Sequence, residues 1–289
     1  MPFVGNTDTF QGFRRKDAGM ARYGDGRDGA IVFGTTVGYT SSPHTLTQDM
    51  MATDITVPAS FTVITGGYRI LASGLLTTNA SAVLHCDGAD AVTQTGGAAG
   101  TAHTIGRGSA GGNSSNSSVG GDGGFVNSAS IGGNGGAGGA GSFFAGGAGG
   151  TPGIPAFGPH NALWALLCAY PGASTGFTMY RGGCGGGGGG TGIGNAAGAG
   201  GAGGGIVLIA ARRITHAGTI RAKGGAGANA QAANFGGGGG GGGGAVIMLY
   251  DYYTGAGTIT APGGAKGTGI STGVDGVAGS AGNVYTLGP

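Results

Sequence analysis

The sequence predicts an all-β chain. Short stacked strands, arranged as a β-helix or a β-sandwich-like pair of sheets, combine with a packed layer of polyglycine II-type helix. Three observations lead there. Glycine occupies 78 of 289 positions. Residues 31–95 carry short β-branched and aliphatic runs between turn residues. A unit of glycine tract, apolar strand, turn and Gly-Thr-Ile strand recurs in the C-terminal third.

The glycine content excludes several classes. Long helices draw on Ala, Leu, Glu, Lys and Arg. Here charged residues are only 8%, Glu is absent, and Lys occurs only at Lys16, Lys223 and Lys266. Collagen needs a strict Gly-X-Y period and abundant Pro, whereas Pro occurs 9 times and the period is missing. Each glycine costs roughly 0.5–1 kcal/mol of backbone entropy relative to Ala, so something dense must offset that loss. The available offset is lateral contact of bare backbones whose N–H and C=O groups pair between neighbouring runs. The polyproline II-type helix has three residues per turn and no internal hydrogen bonds, so glycine tracts in that form must pair sideways.

In chain order, residues 1–30 form an N-terminal attachment segment that is polar and turn-rich. Arg14, Arg15 and Lys16 are its candidate anchoring residues. Its Asp25-Gly26-Arg27-Asp28-Gly29 lacks the remaining ligands of a calcium loop and reads as a turn. Residues 31–95 form a β-rich domain, with strands expected at 31–33, 54–57, 61–64, 68–71, 75–77 and 82–85. Residues 96–289 form a glycine-rich domain. It opens with Gly-Gly-X triplets, Gly132–Asn134, Gly135–Ala137 and Gly138–Ala140, whose period matches the threefold helix.

An aromatic insert at 157–181 interrupts the glycines. Asn161 as an N-cap and Pro171 as a stop allow one short helix there. The repeat then runs through 203–225 and 242–264 at an offset of 39 without a gap. A unit this small cannot bury its own strands, so the units must stack. The tracts Cys184–Gly190, Gly198–Gly205 and Gly236–Gly244 should then lie side by side.

Site chemistry is sparse. Nine consecutive glycines, Gly236–Gly244, make any GxGxxG match uninformative, and no P-loop Gly-Lys-Ser/Thr occurs. The five His lack metal-ligand spacing, and the three Cys, Cys86, Cys168 and Cys184, are too dispersed for a zinc site or a disulfide framework. Asp87 and Asp90 are the only close carboxylates in a β context, and turn duty is the expected role. Thr-x-Thr steps are too scattered for an ice-binding ladder. The sequence therefore predicts no enzyme, no cofactor and no metal. A net charge of +2 gives no nucleic-acid footprint, and no apolar run is long enough to span a membrane. The start of the chain has no signal-peptide pattern, which is consistent with cytosolic assembly.

The strand Gly203-Gly-Gly-Ile206-Val207-Leu208-Ile209-Ala210, the following Gly218-Thr219-Ile220-Arg221-Ala222-Lys223-Gly224-Gly225 and the long glycine run resemble the glycine-rich virion proteins of tailed bacteriophages. They are similar to tail-fibre and head-fibre proteins and to the fibre-tip adhesins of T-even-like phages. The resemblance implies a non-enzymatic virion surface protein, assembled in the host cytoplasm. It would bind a bacterial receptor through loops between glycine tracts. Those interruptions are 142–144, 157–180, 229–235 and 250–253. Their aromatic contact candidates are Phe143, Phe144, Phe157, Trp164, Tyr170, Tyr180, Phe235, Tyr250, Tyr252 and Tyr253. Other virion proteins and further copies of the chain, as in a trimer, are the implied partners. The alternative is a head decoration or head-fibre protein held by its N-terminus.

Overall fold

The computed structural model describes residues 23–99, 108–114, 119–124, 126–129, 132–153, 182–191 and 196–289. Every named element among them is a strand. They are β1 (Ile31–Val32), β2 (His44–Thr45), β3 (Met50–Ala52), β4 (Ile55–Val57), β5 (Thr62–Ile64), β6 (Arg69–Thr78), β7 (Val83–His85), β8 (Val126–Ala129), β9 (Pro152–Gly153), β10 (Ile206–His216), β11 (Thr219–Arg221), β12 (Ala245–Thr254), β13 (Thr258–Thr260) and β14 (Asn283–Leu287). The all-β expectation is therefore met. The short helix expected near residue 161 lies outside the described residues.

The chain alternates between two sheets. One has seven strands, in the order β1-β4-β6-β10-β12-β14 with β3 also on β6; the other has the order β13-β11-β7-β5-β2. All strand pairs in both sheets are parallel. Parallel neighbours cannot be joined by a tight hairpin. Here the connection passes through the other sheet and, from β7 onward, through long glycine excursions. The main core fills the space between the sheets, with Ile55, Val63, Ile70, Leu84, Val207, Ile209, Ile220, Val246 and Met248 in one cluster. A second cluster, including Leu71, Ile206, Leu208, Ala210 and Ile247, lies on the opposite face of the seven-stranded sheet with Tyr23. The first six residues of β10, Ile206–Ala211, are buried on both faces, which is why they read as an unbroken apolar run rather than an alternation.

The sequence repeat is a register. Ile206 sits opposite Ala245 and Thr219 opposite Thr258, so each residue of one unit meets its counterpart in the next. Thr215 and Thr254, 39 apart, bring their hydroxyls to 3.2 Å. The stack continues with β14, where Ala245 pairs Asn283 and Ile247 pairs Tyr285. Asn283, Tyr285 and Thr286 hide this third rung from an apolar pattern. β2 and β3 are further strands that the sequence pattern does not show.

The expected strands at 68–71 and 75–77 are one strand, β6, with a register irregularity opposite Ala211–Arg213. Gly74 permits it: its N–H donates to the Thr53 carbonyl at 2.7 Å, and a Cβ there would overlap the Asp54 carboxylate. Strands from 31–85 and from 206–287 share both sheets. The boundary drawn at residue 95 therefore separates compositions, not cores.

Outside the sheets the glycine runs bond to one another with a period of three. In 182–190, Gly183, Gly186 and Gly189 donate to the carbonyls of Gly204, Gly201 and Gly198. Cys184, Gly187 and Gly190 donate to Gly133, Gly136 and Gly139, and Gly188 donates to Gly121. The carbonyls of the same run accept from Ser109 and Gly112, from Gly147 and Gly150, and from Gly236, Gly239 and Gly242. This run is thus surrounded on all sides by backbone, and its described residues are buried. At the lattice surface the triplets show the same rule. Gly133, Gly136 and Gly139 donate one way and Gly135, Gly138 and Gly141 another, while Asn134 and Ala137 face solvent.

Two polar groups are locked into the sheet region. Arg69 is 2% exposed and pairs with Asp49, Nε to Oδ2 at 2.8 Å and backbone N to Oδ1 at 2.8 Å. His216 is fully buried between the sheets, with Nδ1 2.5 Å from Thr78 Oγ1 and Nε2 3.2 Å from the Thr258 carbonyl. The carbonyl can only accept, so Nε2 carries the proton and Nδ1 accepts from the hydroxyl. Burial lowers the His216 pKa against the opposing pull of the Thr258 carbonyl, and burial lowers that of His44 too. A depressed folded pKa means the unfolded chain binds more protons, so the stabilisation is present above about pH 6.5 and is lost as pH falls through the folded value. Thermal melts should show Tm falling from pH 7 to pH 5, with a shallower fall in His216→Gln. An equal slope in parent and variant would remove His216 as a cause.

Candidate functional site

Each glycine excursion leaves the sheets, turns and returns. After β11 the chain runs out through 222–228, turns at 229–235 and comes back through 236–244 to β12. After β13 it repeats this, turning at 268–273 and returning to β14. The backbone bonds place the other turns at the same distal end. The Val92–Thr95 turn closes on itself, and Thr93 O accepts from Ala199. Ser114 N–H donates to Gln94 O, Gly120 to Ala145 O and Ser142 to Asn234 O, while Asn234 N–H donates to Ile270 O. Six described stretches (92–95, 113–114, 119, 142–144, 229–235 and 268–273) therefore lie at one end of the lattice.

This surface is built on side-chain ties as well. Asn113 Oδ1 accepts from Gly96 N–H at 2.8 Å, Asn229 Oδ1 from Thr268 N–H at 2.9 Å, and Asn234 Oδ1 from the Thr272 hydroxyl at 2.7 Å. Thr93, Asn234 and Ser271 hold left-handed φ values of 50°, 71° and 60°, the non-glycine residues that complete these turns. Val92, Val119, Phe143 and Ile270 are among the exposed large apolar side chains of the described structure, Phe143 at 70%. No ionisable side chain occurs in the six stretches. A carboxylate does reach the 268–273 turn: Asp275 Oδ1 accepts from Gly269 N–H at 2.9 Å, and its Oδ2 pairs with Lys266 at 3.0 Å.

Phe143 and Phe144 thus sit in a distal turn, with Phe144 half-buried. Phe235 does not reach the surface. It is 7% exposed and packs with Ala196, Ala197 and Ala230 beneath the turns, because its chain position begins the inward glycine run. Tyr250–Tyr253 are not a loop; β12 continues through Thr254, paired in register with β10. Tyr250 and Tyr253 stack at 5.3 Å against the main core, and only Tyr252 points out, at the sheet end far from the turns. Phe157, Trp164, Tyr170, Tyr180, Arg14, Arg15 and Lys16 lie outside the described residues. Val92, Val119 and Ile270 were missed because a lone aliphatic beside a turn carries no pattern; only the fold brings them to one end.

Asp87 and Asp90 tether neighbouring runs rather than cap turns of their own. Asp87 Oδ1 accepts from Lys223 N–H at 2.9 Å, Oδ2 lies 2.8 Å from Arg221 Nε and 3.1 Å from His85 Nδ1, and Asp90 Oδ1 accepts from Ala226 N–H at 2.7 Å. Burial alone would raise the Asp87 pKa, but His85, Lys223 N–H and Arg221 outweigh it and hold the carboxyl below its ordinary value. Among the described residues no group of three or more His, Cys or Asp side chains could hold a metal ion, and no helix is long and apolar enough to cross a membrane. The chain matches no family model, no curated protein and no solved structure.

Proposed function

We propose that this is a non-enzymatic phage virion surface protein of the fibre or adhesin type, which contacts a bacterial cell-surface receptor through its distal turns. In this reading the strands form a stacked coil and the glycine runs form a polyglycine II-type bundle that holds the turns rigidly away from the virion. Residues 1–30 are the attachment segment to other virion proteins, and further copies of the chain complete the fibre. The observation that carries the reading is the convergence of these six stretches, with Phe143 and three aliphatic side chains exposed, on a backbone-bonded support. Rigid presentation lowers the ordering cost of binding, and surface turns tolerate the sequence change that receptor choice demands.

The test has two measurements. Antibody raised against the chain should decorate intact virions, and the purified protein should block adsorption of those virions to host cells. Phe143→Ala should weaken that block by about tenfold, the loss of one well-placed aromatic anchor, while its Tm stays at the parental value. Undecorated virions would overturn the assignment, and a fully competent Phe143→Ala would remove the distal turns from receptor contact.

A further inference from the structure

The distal surface has an unusual chemistry, and it narrows the ligand. Three asparagine side chains there, Asn113, Asn229 and Asn234, each spend their oxygen inside a turn as acceptors. At Asn113 and Asn229 the partner is a backbone N–H, which can only donate, so the amide is fixed and its nitrogen is left as a donor on an exposed side chain; the Thr272 hydroxyl can bond either end of the Asn234 amide. Asn229 and Asn234 sit on one turn that bonds both to the neighbouring 268–273 turn and to Ser142. Phe143, 70% exposed, follows Ser142 in the chain. Hydroxyls of Thr93, Thr95 and Ser271 lie exposed on the adjoining turns. The six stretches contain no ionisable side chain, and the Asp275 carboxylate that reaches them is already matched by Gly269 N–H and Lys266. They also contain no Tyr, Trp, Arg or Met, the side chains that anchor protein–protein interfaces.

We infer that these turns bind an uncharged glycan of the bacterial envelope. This deepens the receptor-binding reading and rests on it. The partner that fits must be neutral, because a charged one would leave its desolvated charges unmatched here. It must offer many acceptors to preset amide donors, which hydroxyl, ring and acetamido oxygens do. It must also present flat apolar C–H faces that can lie on Phe143. A neutral polysaccharide meets all three demands. A protein loop meets the second, but it would find a single aromatic anchor and scattered aliphatics in place of an apolar interface centre.

The experiment uses the full chain and envelope fragments prepared from a panel of bacteria. Fragments are taken untreated, after mild periodate, which cleaves vicinal diols, and after exhaustive protease. Binding should survive protease and be abolished by periodate. It should change less than about twofold between low and high salt, since the Lys266–Asp275 pair at this surface is matched within the protein and a neutral ligand brings no charge to be screened. Asn229→Asp and Asn234→Asp keep an acceptor oxygen for the Thr268 N–H and the Thr272 hydroxyl while removing the outward donor. Each should weaken binding by about tenfold or more, with an unchanged Tm. Binding that survives periodate and fails after protease would overturn the glycan and identify a protein receptor. Binding that collapses in salt, or full binding by both Asp variants, would also overturn it. Absence of binding to every untreated envelope would instead sink the receptor-binding reading itself.

Discussion

Valine at Gly238 or Gly240 should unfold the glycine lattice, the largest single-residue effect expected anywhere in the chain. A Cβ built on Gly238 falls inside the van der Waals envelope of the Ala199 carbonyl oxygen, and one on Gly240 inside that of Gly264. Neither obstacle is a flexible side chain that could move. Each is a backbone group bonded in the lattice: Ala199 O accepts from Ala228 N–H and Gly264 O from Gly279 N–H. To make room, whole runs must separate and their N–H and C=O groups lose partners away from water. Overpacking typically costs 1–3 kcal/mol and each stranded polar group about as much again. A loss on the order of 3–5 kcal/mol per variant follows, enough to abolish soluble expression in a marginal fold. Ala137→Val is the control. It adds the same kind of bulk to a run of the same lattice, but at a third position that faces solvent, so it should stay within about 0.5 kcal/mol of the parent. Circular-dichroism melts of the three variants check this. Equal Tm values for Gly240→Val and Ala137→Val would show that the runs are not closely packed.

Asp49→Ala should be the most damaging side-chain truncation in the sheet region. It removes the carboxylate that accepts from the Arg69 Nε and backbone N–H, where Arg69 is 2% exposed. Breaking one side of a buried pair costs about 3–5 kcal/mol. For a chain of this size that is a Tm drop of roughly 10 °C. The same reasoning predicts recovery. Asp49→Leu combined with Arg69→Met removes both charges, and apolar replacement of a whole pair is often near neutral. The double variant should regain most of the lost Tm. If it melts as low as Asp49→Ala, the damage comes from shape rather than from an unpaired charge.

Much of this architecture is legible in the sequence, for definable reasons. The 39-residue offset between Ile206 and Ala245 becomes a hydrogen-bonded register because parallel stacking places equivalent residues side by side. The Gly-Gly-X triplets foretell which positions are bare and which face out, since a threefold period gives each position its own direction. The third rung at β14 is not legible, because an edge strand keeps one face wet and need not be apolar. Tyr250–Tyr253 read as an interruption, yet they continue β12, where pairing to β10 overrides the polar Asp251. The site is the least legible part. Val92 and Phe143 belong together only through runs that fold out and back. Phe235, adjacent in sequence to a turn, is drawn inward by the glycine run that it begins.

The threefold directionality has an evolutionary corollary. A one- or two-residue insertion early in an arm such as 222–228 would move every later residue out of its place in the three-residue pattern, aiming an alanine at a neighbour's backbone. Three residues added to both the outgoing and the returning arm would only lift the turn by one period of the hydrogen-bond pattern. Natural variants of this chain should therefore change arm length in multiples of three, while the turns themselves accept insertions of any size.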